Sequence, residues 1–159
     1  MLIVSDTSPL IALALCDKLD LLDKLFDQVC IPLAVFNELA IPDKPEAAKI
    51  TEWARNKIVS VKDTATVKAL SLNLDLGESE ALSLYWETSA DFLLIDEKRG
   101  RTIALRNGAK IIGTIGILFA AKQRGFITLI KPFLEILIRN GFRISNVHYH
   151  QYLERAGEE

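Results

Sequence analysis

MLIVSDTSPLIALAL, residues 1–15, sets one charged side chain, Asp6, between two apolar runs. Leu2–Ser5 reads as a short buried strand and Leu10–Leu15 as part of a buried helix. An acid at that junction is costly, because desolvating a carboxylate is unfavourable. Three roles compete for it: helix cap, turn residue, or member of a site. Pro9 suits the first helical position, which makes Ser8 the expected N-cap and leaves the Asp6 carboxylate without a capping duty.

The rest of the chain repeats this alternation of short apolar run and helical segment. Strands are expected at 2–5, 29–31, 58–61, 92–95 and 109–112. Helices are expected from Ser8 to about Phe26, over Pro32–Ala40 with a stop near Ile41–Pro42, and over Glu46–Asn56. Gly77 introduces the next one. Thr114 reads as the cap of a helix ending near Gly125. A helix over Pro132–Asn140 stops at Gly141, and Ser145 caps a last one ending near Gly157. Uniformly apolar strands between helices point to a parallel α/β sheet covered on both faces. Ligand sites in such sheets lie beyond the strand carboxyl ends, near the switch in strand order. Asp6 lies just past the first such end.

Other acids fall in comparable places. Asp96 follows the strand FLLI, with Glu97, Lys98, Arg99, Gly100 and Arg101 after it. On its own it reads equally as a solvated turn. Glu38 in PLAVFNELA (32–40) borders the apolar face made by Val35, Phe36 and Leu39. In LDLGESEAL (74–82), a cap at Gly77 would put Glu78 and Glu80 in the first turn, where acids suit the helix dipole. The two are about 200° apart around the helix, so at most one faces a given pocket. Glu80 is the expected pocket residue, with Glu78 at the rim. Converging carboxylates raise one another's pKa unless a cation is present. Oxygen-only ligands suit Mg²⁺ or Mn²⁺ and need neither histidine nor thiolate. Such an ion supports phosphodiester hydrolysis. Lys98, Arg99, Arg101 and Arg106 could then meet phosphates at the rim, although a solvated helix face would carry the same residues.

Composition narrows the alternatives. The 159 residues are half apolar and one quarter charged, with a formal net charge of −2. That length fits a single domain, residues 1–159, with a sizeable core. There is no global positive charge to advertise nucleic acid, so binding would need a local patch. Cys16 and Cys30 lack metal-ligand spacing and read as small buried hydrophobes. The N-terminus has no basic region ahead of its apolar run, and the longest uncharged run, Ile111–Ala121, is too short for a membrane span. A cytoplasmic protein is expected. A dehalogenase-type phosphatase would need Asp where Ser8 stands. A receiver domain would need a lysine at the end of the last strand, where Gly113-Thr114 follow.

VSDTSPLI (4–11), VFNEL (35–39), GESEAL (77–82) and LLIDEKRGR (93–101), in that order and spacing, resemble the PIN-domain nucleases. GTIGILFAAKQRGFI (113–127) and LIRNGFRIS (137–145) look like a prokaryotic subgroup of that family related to VapC-type toxins. The resemblance implies a three-layer sandwich around a five-stranded parallel sheet in the order 3-2-1-4-5, which makes strands one and four neighbours. It implies an acidic quartet of Asp6, Glu38, Glu80 and Asp96. Mg²⁺ or Mn²⁺ would be held mainly by Asp6 and Asp96, with Glu80, while Ser8, Glu78 and Glu97 play auxiliary parts. It further implies hydrolysis of RNA, single-stranded or transfer RNA, to a 5′-phosphate and a 3′-hydroxyl, and a cognate antitoxin as partner. A homodimer is a further implication; Trp53, Trp86, Phe133 or Tyr152 would lie at its interface or pack in the core. The alternative function is a catalytically inactive PIN fold that binds RNA or protein.

Overall fold

The computed structural model describes residues 1–41, 43 and 45–159. Its strands are β1 (Leu2–Ser5), β2 (Gln28–Pro32), β3 (Ile58–Val59), β4 (Phe92–Leu94) and β5 (Ile111–Ile112). The helices are α1 (Thr7–Leu15), α2 (Asp20–Leu25), α3 (Leu33–Leu39), α4 (Ala47–Ala54), α5 (Thr64–Leu70), α6 (Leu76–Glu87), α7 (Lys98–Arg106), α8 (Thr114–Gln123), α9 (Lys131–Arg139) and α10 (Asn146–Ala156). All strand pairs are parallel and the order is β3-β2-β1-β4-β5. The expected α/β architecture is therefore the observed one.

Side-chain alternation along the central strands builds a core on each face. Ile3 and Leu94 join a large cluster with Leu10, Leu22 and Leu118. Val4 and Leu93, their neighbours in sequence, point the other way, toward Leu82, Leu84 and Ala104. Cys16 and Cys30 are free and buried, one in each cluster. Trp53, Phe133 and Tyr152 pack against the larger cluster, while Trp86 is 38 % exposed. Among the described residues no helix is long and apolar enough to cross a membrane.

Several local expectations are corrected. The single helix from Ser8 to Phe26 is two helices, because Asp17 turns the chain at φ 53° between them. Helix α1 begins at Thr7, so Asp6 takes the cap position and Ser8 lies inside the first turn. Pro9 is thus third in the helix, where its missing N–H still costs nothing because a first-turn amide has no intrahelical acceptor. Asp75, not Gly77, caps α6, its carboxylate accepting from the Glu78 amide at 2.8 Å. Thr114 is the first residue of α8, with Gly113 at the cap. Helices α5 and α7 add to the expected elements; Asp63 caps α5 by accepting from the Thr66 amide. Helix α3 ends at Leu39, and Pro42, expected near its stop, lies outside the described residues. The caps at Ser145 and the left-handed Gly157 are as expected.

Candidate active site

Strand pairing brings the two strand-end acids together. Ser5 stands opposite Leu94, and the Asp6 amide donates to the Leu94 carbonyl at 2.9 Å. Asp6 therefore leaves β1 beside the point where the chain leaves β4 toward Asp96. Although it occupies the cap position of α1, its carboxylate makes no capping hydrogen bond. It is 3 % exposed. Burial pushes its pKa up to about 7; the Thr7 amide draws it back in part, and Asp75, Glu38 and Asp96 raise it further by like charge.

The surrounding acids are held by short, specific bonds. The buried Thr7 hydroxyl donates to Glu38 Oε2 at 2.8 Å, fixing an otherwise exposed helical carboxylate beside Asp6. Asp96 accepts from the Thr114 amide at 2.8 Å and from the Thr114 hydroxyl at 2.6 Å. That ties the end of β4 to the start of α8, where the helix dipole favours an anion. Each Asp96 oxygen keeps a lone pair free.

Glu78 and Glu80 diverge as their helical spacing requires. Glu80 turns toward α3, where Oε2 accepts from the Ala34 amide at 2.8 Å. Glu78 turns into the acidic group. Burial first, then a hydrogen bond to Asp75 and the charges of Asp75, Asp6 and Glu97, push its pKa up to about 8. The reason is the shifted cap: α6 starts one residue before Gly77, so Glu78 sits third in the helix, directly after the Asp75 turn.

Two glycines make room for this arrangement. A Cβ on Gly100 would lie 2.7 Å from Glu78 Oε2 and 2.6 Å from Ile95 Cδ1. A Cβ on Gly113 would lie 2.9 Å from Asp96 Oδ1 and 2.8 Å from Arg101 Nη1. A side chain at either position would push these carboxylate, guanidinium and isoleucine ends from where they lie.

The basic residues separate into two places. Lys98, Arg99 and Arg106 line a surface cleft of about 820 Å³ together with Asn73, Glu97 and Asn107. Arg101 is half-buried instead, and its Nη1 donates to the Ile95 carbonyl at 2.8 Å. Ser8 is the second residue of α1 and half-buried.

A family model described as a PIN domain matches residues 2–158. The chain belongs to the PIN-domain family. No curated protein and no solved structure matches it. PIN domains are generally nucleases, and PIN nucleases typically use divalent metals. In this PIN domain the donor set has the right chemistry for such an ion: hard carboxylate oxygens, crowded and partly desolvated. Among the described residues no three metal-ligating side chains form a ready-made cage. A cage is not required, because Mg²⁺ keeps several waters and takes one or two carboxylates directly.

Three residues of the PIN site have no place in the sequence expectations: Thr7, Thr114 as a partner of Asp96, and Asp75. Asp75 carries a legible signal, since an acid three residues before Glu78 matches a helix N-terminus. The hydroxyl partners carry none, because they depend on which strand ends become neighbours.

Proposed function

We propose that this PIN domain is an Mg²⁺- or Mn²⁺-dependent endoribonuclease of the cytoplasm, and the toxin of a toxin–antitoxin pair. The observation that carries the catalytic reading is Asp6: a carboxylate 3 % exposed, flanked by Asp75, Glu38 and Asp96. Among the described residues no cationic side chain pairs with it. Isolated buried charges are normally paired or bind a metal. The toxin reading is supported by the resemblance of residues 113–127 and 137–145 to a prokaryotic PIN subgroup related to VapC-type toxins.

Asp6 and Asp96 would hold the ion directly. We assign the third acidic role to Glu78 instead of Glu80, since Glu80 is committed to the Ala34 amide while Glu78 is half-buried among Asp75, Asp6 and Glu97, whose charges it feels. When bound, the ion supplies a hydroxide-like nucleophile and charge neutralisation at the phosphate. Glu38, steadied by Thr7, orients the attacking water. Water oxygen bonds to phosphorus and releases one proton to solvent, the bond from phosphorus to the 3′ oxygen breaks, and that oxygen takes up one proton from solvent, so one water is consumed per cut. The products are a 5′-phosphate and a 3′-hydroxyl. Lys98, Arg99 and Arg106 hold flanking phosphates.

The test is cleavage of single-stranded RNA and of transfer RNA by purified protein, with Mn²⁺ or with chelator, beside Asp6→Asn. Metal-dependent cleavage that disappears in the variant is expected. Equal cleavage by both proteins sinks the assignment, and binding without cleavage favours an inactive module. For the toxin role, expression should arrest growth, and co-expression of the adjacent small reading frame should relieve it.

A further inference from the structure

We propose that Arg101 is a catalytic residue that grips the reacting phosphate itself, apart from the cations that hold its flanks; this rests on the nuclease reading above. Four observations lead there. Arg101 is half-buried, whereas Lys98, Arg99 and Arg106 are exposed. Its Nη1 is fixed by the Ile95 carbonyl at 2.8 Å, at the carboxyl end of β4, one residue from Asp96. Arg101 Nη1 and Asp96 Oδ1 lie 2.8 and 2.9 Å from one point, the place a Cβ would take on Gly113. And it does not line the outer cleft where the other three cations stand.

A guanidinium has five N–H donors in a planar fork. Only one finds an acceptor among the described residues. No carboxylate among them forms an ion pair with it. A half-buried cation with four free donors, set beside Asp96, matches the geometry of a tetrahedral anion, which arginine binds through two parallel hydrogen bonds. In hydrolysis, negative charge grows on the non-bridging phosphate oxygens, and a donor already fixed in place stabilises it without reorganising. The tie to the Ile95 carbonyl provides that fixing. Gly113 provides the space.

The two classes of cation should therefore fail differently. In single-turnover cleavage of single-stranded RNA with Mn²⁺, Arg101→Gln should lower the saturating rate about 10²–10³-fold, the range for loss of one preorganised donor. Its RNA affinity should change less than threefold. Arg99→Gln should weaken RNA binding and flatten its salt dependence, its loss falling on affinity more than on rate. Arg101→Lys separates fork from tie. A lysine ammonium can still donate to the Ile95 carbonyl, so rescue by lysine would mark a structural tie and overturn the proposal. A wild-type saturating rate in a folded Arg101→Gln protein overturns it too. Binding of inorganic phosphate in the presence of Mg²⁺, followed by calorimetry, stands apart from any cleavage. At least tenfold weaker binding by Arg101→Gln supports the fork even if no RNA is cut, an outcome that would retire the nuclease reading alone. Equal phosphate binding overturns the fork.

Discussion

Two buried carboxylates at different places in the fold behave in opposite ways. Asp6, at the carboxyl end of β1, is pushed up to about 7. Glu158, after α10, has a side chain only 3 % exposed, yet its pKa lies below the ordinary range. Burial raises both. Around Glu158 that push is outweighed by the Lys122 ammonium at 2.7 Å and by the Ile130 and Lys131 amides at 2.7 and 2.9 Å. These contacts dock the chain end onto the start of α9 and onto α8. Asp6 has one offsetting amide and three acidic neighbours. Burial alone thus does not mark a functional acid. The partners differ: Glu158 has a counter-charge and two amide donors, whereas Asp6 has one amide among acids, which is the setting a bound cation would relieve.

The contrast between the two acids stands or falls first on Asp6→Asn. Metal-dependent cleavage should fall at least about 10³-fold, equivalent to about 4 kcal/mol of transition-state stabilisation. Removal of the analogous charge in Glu158→Gln should leave the folded enzyme's saturating rate unchanged.

Next in size is stability against pH without metal. The folded-state pKa of Asp6 lies above the ordinary aspartate value of 3.8, so its contribution is full below that value and is lost as pH rises through about 7. Asp6→Asn should therefore match wild type near pH 4 and exceed it at pH 8 by up to about 4 kcal/mol, since each tenfold change in proton affinity is worth about 1.4 kcal/mol. Glu158 has the opposite sign. Its stabilisation is present above the ordinary carboxylate range and is lost as pH falls through its lowered pKa. Chemical denaturation at several pH values reads both. Added Mn²⁺ should stabilise wild type at pH 8 and leave Asp6→Asn unmoved.

Glu78→Gln should cut metal affinity or turnover about 10- to 100-fold, the range for groups that orient metal ligands. Glu80→Gln should leave both near wild type, since an amide oxygen still accepts from the Ala34 N–H. The reverse result restores Glu80 as the third acid. Glu158→Gln should cost about 2 kcal/mol of stability, the scale of hydrogen bonds to a charged group, with an unchanged metal response.

Much of the fold is legible in residue order. Leu2–Ser5 reads as β1 with its observed bounds, because a short apolar run that stops at an acid fits a buried strand. The family match over residues 2–158 agrees with the expected PIN-domain family. Boundaries are less legible. The break at Asp17 is a single residue at positive φ, invisible to a periodicity that continues through Leu21, Leu22 and Leu25. Gly77 is more conspicuous punctuation than Asp75, which hides the true cap, and that one shift changes where Glu78 sits in its helix.

Local side-chain periodicity and residue type suffice for the alternation of strand and helix and for the acids at two strand ends. They do not suffice for the rest of the site. Packing of the sheet and its helices turns Glu78 inward while Glu80 binds the Ala34 amide. It also gives Asp96 to Thr114 and draws Arg101 away from its basic neighbours to lie beside Asp96. The bonds of Glu80, Asp96 and Arg101 each depend on a partner more than five residues away along the chain. A carboxylate or a guanidinium goes to whatever donor, acceptor or vacant space the packed sheet brings within about 3 Å, and that distance does not exist until the strands have paired.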